Sequence, residues 1–280
     1  MTETVLTSLA AGLGLSLIIA LLALRRESLS PSGAAGAVLV GTLIFGLGGW
    51  VWGVLLVLFF LSSSLLSHYK ESDKAAVAEK FDKGHRRDFV QVLANGGAGA
   101  VIALLSAVVP HGVPDSLWFA LFTGVMATVT ADTWATELGT LGRAAPRLIT
   151  SGRPVEVGTS GAISLLGTSV AMAGSLLIGL VAGVLGAFTG LFPWGVALTV
   201  TVIGAISGLA GSMVDSLLGA TVQRIYYCDA CDKETERKVH RCGATTRPLR
   251  GARWMTNDMV NFLSSLDGGL VAAALAVLLL

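Results

Sequence analysis

Two acids stand where hydrocarbon is expected. In TVTADTWATELGTLGR, residues 128–143, Asp132 and Glu137 close an apolar run that opens near position 116. An ionisable side chain inside a bilayer costs at least about 2.5 kcal/mol on insertion scales, so it persists mainly where it faces a bundle interior, a cavity or a partner. Thr128 and Thr136 flank Asp132 at four residues on either side, on one face of a helix. Glu137 is five residues on, about 140° around an ideal helix. The two carboxylates therefore meet only if the helix unwinds or a metal bridges them from its end.

A third acid, Asp215, lies in GLAGSMVDSLLGATVQ with Gly208, Ser212 and Gly219 on its face. Small residues at that spacing signify close helix packing, but packing does not require the carboxylate. WMTNDMVNFLSS supplies Asn257, Asp258 and Asn261 at the start of the last apolar run, and RRDFVQVLANGG supplies Asp88, Gln91 and Asn95 at an earlier one. Aspartate at a helix start is often only an N-cap, an explanation that suits Asp88 better than Asp258 and does not reach Asn261. In RPVEVGTSGAISLLGT, Thr159, Ser160 and Gly161 form a turn at a helix start, whose amides and hydroxyls suit an anion. Lys83, Arg86 and Arg87 on one side and Arg143, Arg147 and Arg153 on the other are candidate phosphate partners, although membrane topology alone accounts for basic loops.

The three cysteines of the chain all fall in YYCDACDKETERKVHRCG, where Cys228, Cys231, His240 and Cys242 read C-x2-C-x8-H-x-C. That spacing suits a Cys3His zinc knuckle, structural because all four ligands come from protein. The remaining set has no Ser-His-Asp order, no HExxH and no plausible cysteine nucleophile. Carboxylates that hold Mg²⁺, beside cations and helix N-termini, are what phosphoryl transfer needs, since its catalysis is mostly positioning and charge neutralisation.

The elements that must position these groups are membrane spans. The chain has 280 residues, 53% hydrophobic and 13% charged, with 35 glycines. Eight apolar stretches, at about 5–24, 33–49, 50–67, 89–109, 116–137, 162–187, 192–219 and 258–280, are read as transmembrane helices of an all-α, polytopic protein. A tight hairpin is expected at Gly48-Gly49. All 19 Lys and Arg fall after odd-numbered spans. The positive-inside rule then places those loops in the cytoplasm, both termini outside, and the candidate site at the cytoplasmic face of the cell membrane. The chain is expected to be one membrane domain, 1–280, with residues 221–256 as a cytoplasmic Cys-rich loop.

DFVQVLANGGAGAVIALL (88–105) and DMVNFLSSLDGGLVAAAL (258–275) share D-x-V-[QN]-x-L, and Asp88, Gln91, Asn95 and Gly99 align with Asp258, Asn261, Ser265 and Gly269. With the weaker pair SGAAGAVLVGT and SGAISLLGT, this suggests a parallel repeat of four spans plus four.

LSPSGAAGAVLVG (29–41), RRDFVQVLANGG (86–97), ADTWATELG (131–139), PRLITSGRPVEVGTSGAISLLGT (146–168), GSMVDSLLGATVQ (211–223) and NDMVNFLSS (257–265) together resemble the family of transmembrane protein 19 and the chloroplast phytyl-phosphate kinase. The resemblance spans almost the whole chain. It implies transfer of a phosphoryl group from a nucleotide, CTP by analogy, to an isoprenyl monophosphate. Asp132, Glu137, Asp215 and Asp258 would then hold Mg²⁺ and nucleotide phosphates, Asn95, Asn257 and Asn261 would orient them, and Thr159, Ser160 and Gly161 would cradle an anion. Arg86, Arg87 and Arg147 would add positive charge. The partners implied are nucleotide, lipid phosphate and bilayer, with no nucleic acid, and a homo-oligomer stays open. A transporter of a phosphorylated or lipid-linked solute, coupled to protons or Na⁺, is the alternative; acids near the midplane and an inverted repeat would favour it.

Overall fold

Helix α1 (Glu3–Arg25) is followed by α2 (Pro31–Leu43), α3 (Trp50–His68), α4 (Phe89–Val108), α5 (Asp115–Gly139), α6 (Leu165–Phe188), α7 (Ala197–Thr221) and α8 (Asn257–Leu279). The computed structural model describes residues 3–70, 86–109 and 112–280, so Lys83 lies outside the described residues. The eight helices coincide with the eight expected spans. Seven are long and apolar enough to cross a membrane; α5 is the exception. Its residues Phe122 to Ala131 are all buried, because the other helices and not lipid surround it. The protein is an integral membrane helical bundle.

The helix starts follow an end-dependent rule. At the end where the site lies, α2, α4, α6 and α8 begin behind side-chain caps: Ser30, Asp88, Ser164 and Thr256 each accept from a backbone N–H three residues on. These oxygens satisfy amides that the first turn leaves without helical partners. Asp88 makes a full capping box with Gln91. At the other end, α3, α5 and α7 have no side-chain cap. The chain turns there on Gly49 (φ 84°), Pro114 and Pro193, and Gly49 ends a π-helical turn, Ile44–Gly48, at the expected hairpin.

Helices α5 to α8 pack closely on one another, whereas α1 packs on α2 and its π turn and leaves Ile18, Leu21 and Leu22 exposed on the lipid side. Between α6 and α7, a Cβ on Gly204 would lie 2.6 Å from the Gly179 Cα, so only glycine permits that approach. Buried hydroxyls in α5 and α6 bond back to their own helix: Thr128 to the Gly124 carbonyl at 2.9 Å, Thr130 to Met126 at 2.7 Å, and Ser175 to Ala171 at 2.7 Å. Without water, such bonds keep polar atoms satisfied.

The connections add small sheets to the helical bundle. Strands β1 (Arg147–Leu148) and β2 (Ala162–Ile163) pair antiparallel, and β3 (Ile225–Cys228), β4 (Lys233–Thr235) and β5 (Arg247–Arg250) form a sheet in the order β4-β3-β5. The Cys-rich segment is therefore a folded cap over the end of the bundle. Helix α6 starts at Leu165, after β2, and not at 162.

Candidate functional site

A cavity of about 740 Å³ opens at the end of the bundle where the caps lie, walled by α3, α4, α5, α7, α8, the 157–164 turn and the folded Cys-rich segment. Asp132, Glu137, Asp215, Asp258, Asn95, Asn257, Asn261, Thr159, Ser160, Gly161 and Arg87 all line it. Residues far apart in sequence thus share one chamber.

Two acidic positions divide it. Asp132 on α5 and Asp215 on α7 are within hydrogen-bonding reach of each other, and Asp215 Oδ2 also accepts from Ser264 Oγ of α8 at 2.9 Å. Two carboxylates in contact repel, and a cation between them relieves that repulsion. Glu137 lies apart. The helix does not unwind before Gly139, so Glu137 faces α3 and accepts from Ser67 Oγ at 2.6 Å. Among the described residues no three of the four acids gather around one ion position. Of the four acids expected to hold Mg²⁺ and nucleotide phosphates, the structure brings Asp132 and Asp215 into contact and places Glu137 and Asp258 elsewhere on the wall. One or two carboxylates plus substrate phosphates are what Mg²⁺ ordinarily takes, so the pair fits the ion.

Arg87 is seated by the LSPSG motif. Its N–H donates to the Ser28 carbonyl at 3.1 Å and its carbonyl accepts from Ser30 N–H at 3.0 Å. Gly33 lets this strand-like contact close, because a Cβ there would collide with the Arg87 carbonyl. The guanidinium lies 5.5 Å and 5.8 Å from the ring centres of Phe59 and Phe60. Burial pulls Arg87 down to about 10 and Glu137 works against that, so it remains a cation at neutral pH. Its Nη1 is buried with no hydrogen-bond partner among the described residues, as is Arg224 Nε. A buried donor left unpaired costs about 1–3 kcal/mol, and two arginines with such nitrogens around one cavity mark it as a place for an anion.

The cradle differs from its expected form. Thr159 to Gly161 precede β2, with the helix starting four residues after Gly161, at Leu165, and the Thr159 and Ala162 amides are committed to the Glu156 and Thr159 carbonyls. Ser160 Oγ donates to Gln223 Oε1 at 2.7 Å, and Gln223 Nε2 donates to Glu236 Oε1 at 2.8 Å. The turn is thereby tied to the Cys-rich cap. Two arginines do not reach the chamber. Arg86 is exposed, 3.9 Å from Glu27, and Arg147 on β1 donates to the Gly152 carbonyl at 2.7 Å. Each points out because its backbone is held in a bridge or strand that turns the neighbouring residue inward.

Sequence reasoning missed Ser67, Ser264, Gln223, Arg224 and Arg237-Lys238, all but Ser264 on the cavity wall. The repeat alignment matched Ser265 with Asn95, but Ser265 Oγ bonds the Phe262 carbonyl at 2.8 Å and it is Ser264 that reaches Asp215. Arg224, Arg237 and Lys238 are placed by the sheet of the cap, which carries no periodic signal.

The cap holds the second cluster. One ligand atom each from Cys228, Cys231, His240 and Cys242 lies within 4.8 Å of every other, with Cys228 Sγ 3.7 Å from Cys242 Sγ and His240 Nδ1 3.2 Å from Cys242 Sγ. These separations suit a tetrahedral ion with metal–sulfur bonds of about 2.3 Å. The Ala244 amide and His240 draw the Cys242 thiol down to about 6, so the set readily presents a thiolate.

Residues 14–269 match the family described as Integral membrane protein DUF92. Protein PGR of Arabidopsis thaliana is 35% identical over 265 residues, covering 90% of each chain. An uncharacterized membrane protein of Methanocaldococcus jannaschii is 31% identical over 74% of this chain and 80% of its own. Protein VTE6, chloroplastic, of Arabidopsis thaliana is 31% identical over 87% of this chain and 64% of its own. No solved structure matches the chain.

Proposed function

We propose, on the premise that this chain belongs to the DUF92 integral membrane family, that its cavity transfers a phosphoryl group from a nucleoside triphosphate, CTP by analogy, to an isoprenyl monophosphate. The observation that carries the reading is that one cavity is lined both by the Asp132–Asp215 pair and by two arginines with buried nitrogens that lack partners. A charge-paired chamber of this kind fits an anion that brings a divalent cation. It also lies at one end of the bundle and not at its middle, which suits chemistry at a lipid surface better than passage across it.

Asp132 and Asp215 would hold Mg²⁺, which on binding neutralises nucleotide phosphates. Ser264 fixes the Asp215 carboxylate, while Asp258, Asn257 and Asn261 crowd the start of α8 on the same wall. Arg87 and Arg224 would meet phosphate oxygens with their open N–H groups. A phosphate oxygen of the acceptor attacks the terminal phosphorus of the triphosphate, the bond to the bridging oxygen breaks, and nucleoside diphosphate leaves. The acceptor is already an anion at neutral pH, so no strong base is needed, in keeping with a chamber whose walls hold no histidine among the described residues.

The Cys–His set would bind structural zinc and so keep Arg224, Arg237 and Lys238 of the cap on the wall. Among the described residues, Arg87, Arg224, Arg237 and Lys238 of the basic connections line the chamber, whose end we read as cytoplasmic with both termini outside.

Purified protein incubated with labelled CTP, Mg²⁺ and a panel of prenyl monophosphates tests the proposal. Labelled prenyl diphosphate is expected. No diphosphate from any nucleotide, together with solute-driven flux in vesicles, would replace the reading with a transporter.

A further inference from the structure

The polar chamber has an apolar neighbour. A second cavity, of about 70 Å³, lies between α1, α2, α3 and α4, and the two share three lining residues: Arg87, Gln91 and Asn95. Beyond these its wall is almost wholly hydrocarbon and aromatic, including Ile19, Val40, Phe45, Leu56, Phe60 and Val92. Where about 10–15 Å³ holds one water-sized group, this slot takes a run of about five.

Its mouth is polarised in one direction. The Arg87 guanidinium rests over Phe59 and Phe60, both slot residues, and is within electrostatic range of Glu137, which lines the chamber. The buried, unpartnered Nη1 of Arg87 therefore stands at the point where hydrocarbon wall gives way to polar wall. A ligand that satisfies both surfaces at once is anionic at one end and hydrocarbon from the next atoms onward. A nucleotide fits the chamber but has nothing for the slot, and an alkane fits the slot but leaves Arg87 Nη1 without a hydrogen-bond partner.

We infer that this slot is the seat of the lipid acceptor's tail, with the monophosphate against Arg87 and the first five or so carbons between α1 and α4. This rests on the proposed reading of the chamber. It divides the substrates between the halves of the bundle: nucleotide on the α5–α8 side with Asp132 and Asp215, lipid on the α1–α4 side. Because the slot holds only about one branched five-carbon unit, the protein should discriminate strongly at the carbons next to the phosphate and weakly in total chain length.

Photolabelling tests the assignment without any transfer step. The probe is an alkyl monophosphate carrying a diazirine three to five carbons from phosphorus, added to the full-length protein in nanodiscs. Label should map to peptides of α2 and α3 that contain 37–45 and 56–60. Prenyl monophosphate should compete it away, whereas inorganic phosphate and bilayer phosphatidic acid should not. Ala37 lines the slot. Ala37→Phe, which fills the slot with apolar bulk, should lower labelling on the order of tenfold while leaving nucleotide affinity unchanged. Arg87→Met should lower it also, with competition by prenyl monophosphate lost. The inference falls if label maps to the outer lipid-facing helices, if phosphatidic acid competes as well as prenyl monophosphate, or if folded Ala37→Phe protein labels like the wild type. Slot labelling without diphosphate formation would retain the slot and remove the kinase; diphosphate formation with label elsewhere would do the reverse.

Discussion

Asp88 and Asp258 head two helix starts written in one pattern, D-x-V-[QN]-x-L, and the bundle uses them differently. Asp88 sits just outside α4 as its N-cap, with both its carboxylate and the Gln91 side chain turned back on the first-turn amides. At α8 the cap is Thr256, two residues earlier, so Asp258 falls inside the first turn and joins Asn257 and Asn261 on the chamber wall. A shift of two residues in where the helix begins turns a structural carboxylate into a candidate ligand. The same contrast holds for the halves: α1 to α4 give the chamber one cation, a cap and an apolar slot, while α5, α7 and α8 bring its paired acids together.

The largest effect expected from that contrast is at Asp132 and Asp215. Asp132→Asn and Asp215→Asn keep shape and remove charge, so the proteins should stay folded in detergent while the turnover rate falls on the order of 10²-fold or more, about 2.7 kcal/mol of transition-state stabilisation. Steady-state assays beside a thermal melt separate the two quantities, and near-normal turnover in either variant would break the metal-pair account. Asp258→Asn should cost less, on the order of tenfold, because Asp258 lies outside the Asp132–Asp215 contact. A loss equal to that at Asp132 would place Asp258 in the pair.

The cap comes next. Cys228→Ser with Cys231→Ser should remove about one zinc per chain by metal analysis. The rate at sub-saturating nucleotide should fall several-fold through a raised nucleotide KM, as Arg224, Arg237 and Lys238 lose their fixed position. Full zinc occupancy in the double variant would end the zinc assignment. The smallest effect belongs to Asp88. Asn caps a helix about as well as Asp, so Asp88→Asn should leave activity within about twofold, whereas Asp88→Ala should lower stability by about 1 kcal/mol with KM unchanged. A large activity loss in Asp88→Asn would erase the distinction between the two helix starts.

How far the sequence foretells this follows from the kind of constraint. Spans, caps and polar stripes are local, so the eight helices and the acids and amides of the chamber wall on α4, α5, α7 and α8 can be read from hydropathy and i, i+3, i+4 spacing. Even the separation of Asp132 from Glu137 is implicit in their 140° offset. Choices between adjacent residues are not local. That Arg87 and not Arg86 turns inward depends on Gly33, fifty-four positions earlier, allowing the α1–α2 turn to grip it. Ser264 rather than Ser265 reaches Asp215 because of the rotation of α8 against α7. Arg224, Arg237 and Lys238 depend on the register of β3 with β4 and β5, for which a segment of mixed charge offers no period to follow.

Manganese binding tests the central claim most directly, since Mn²⁺ replaces Mg²⁺ at oxygen sites and is seen by electron paramagnetic resonance whether or not transfer occurs. With a non-hydrolysable CTP analogue present, wild-type protein and Asp88→Asn should each bind about one Mn²⁺ per chain, and Asp132→Asn and Asp215→Asn should bind none at the same concentration. Undiminished Mn²⁺ in folded Asp132→Asn protein, or its loss in Asp88→Asn, would contradict the account.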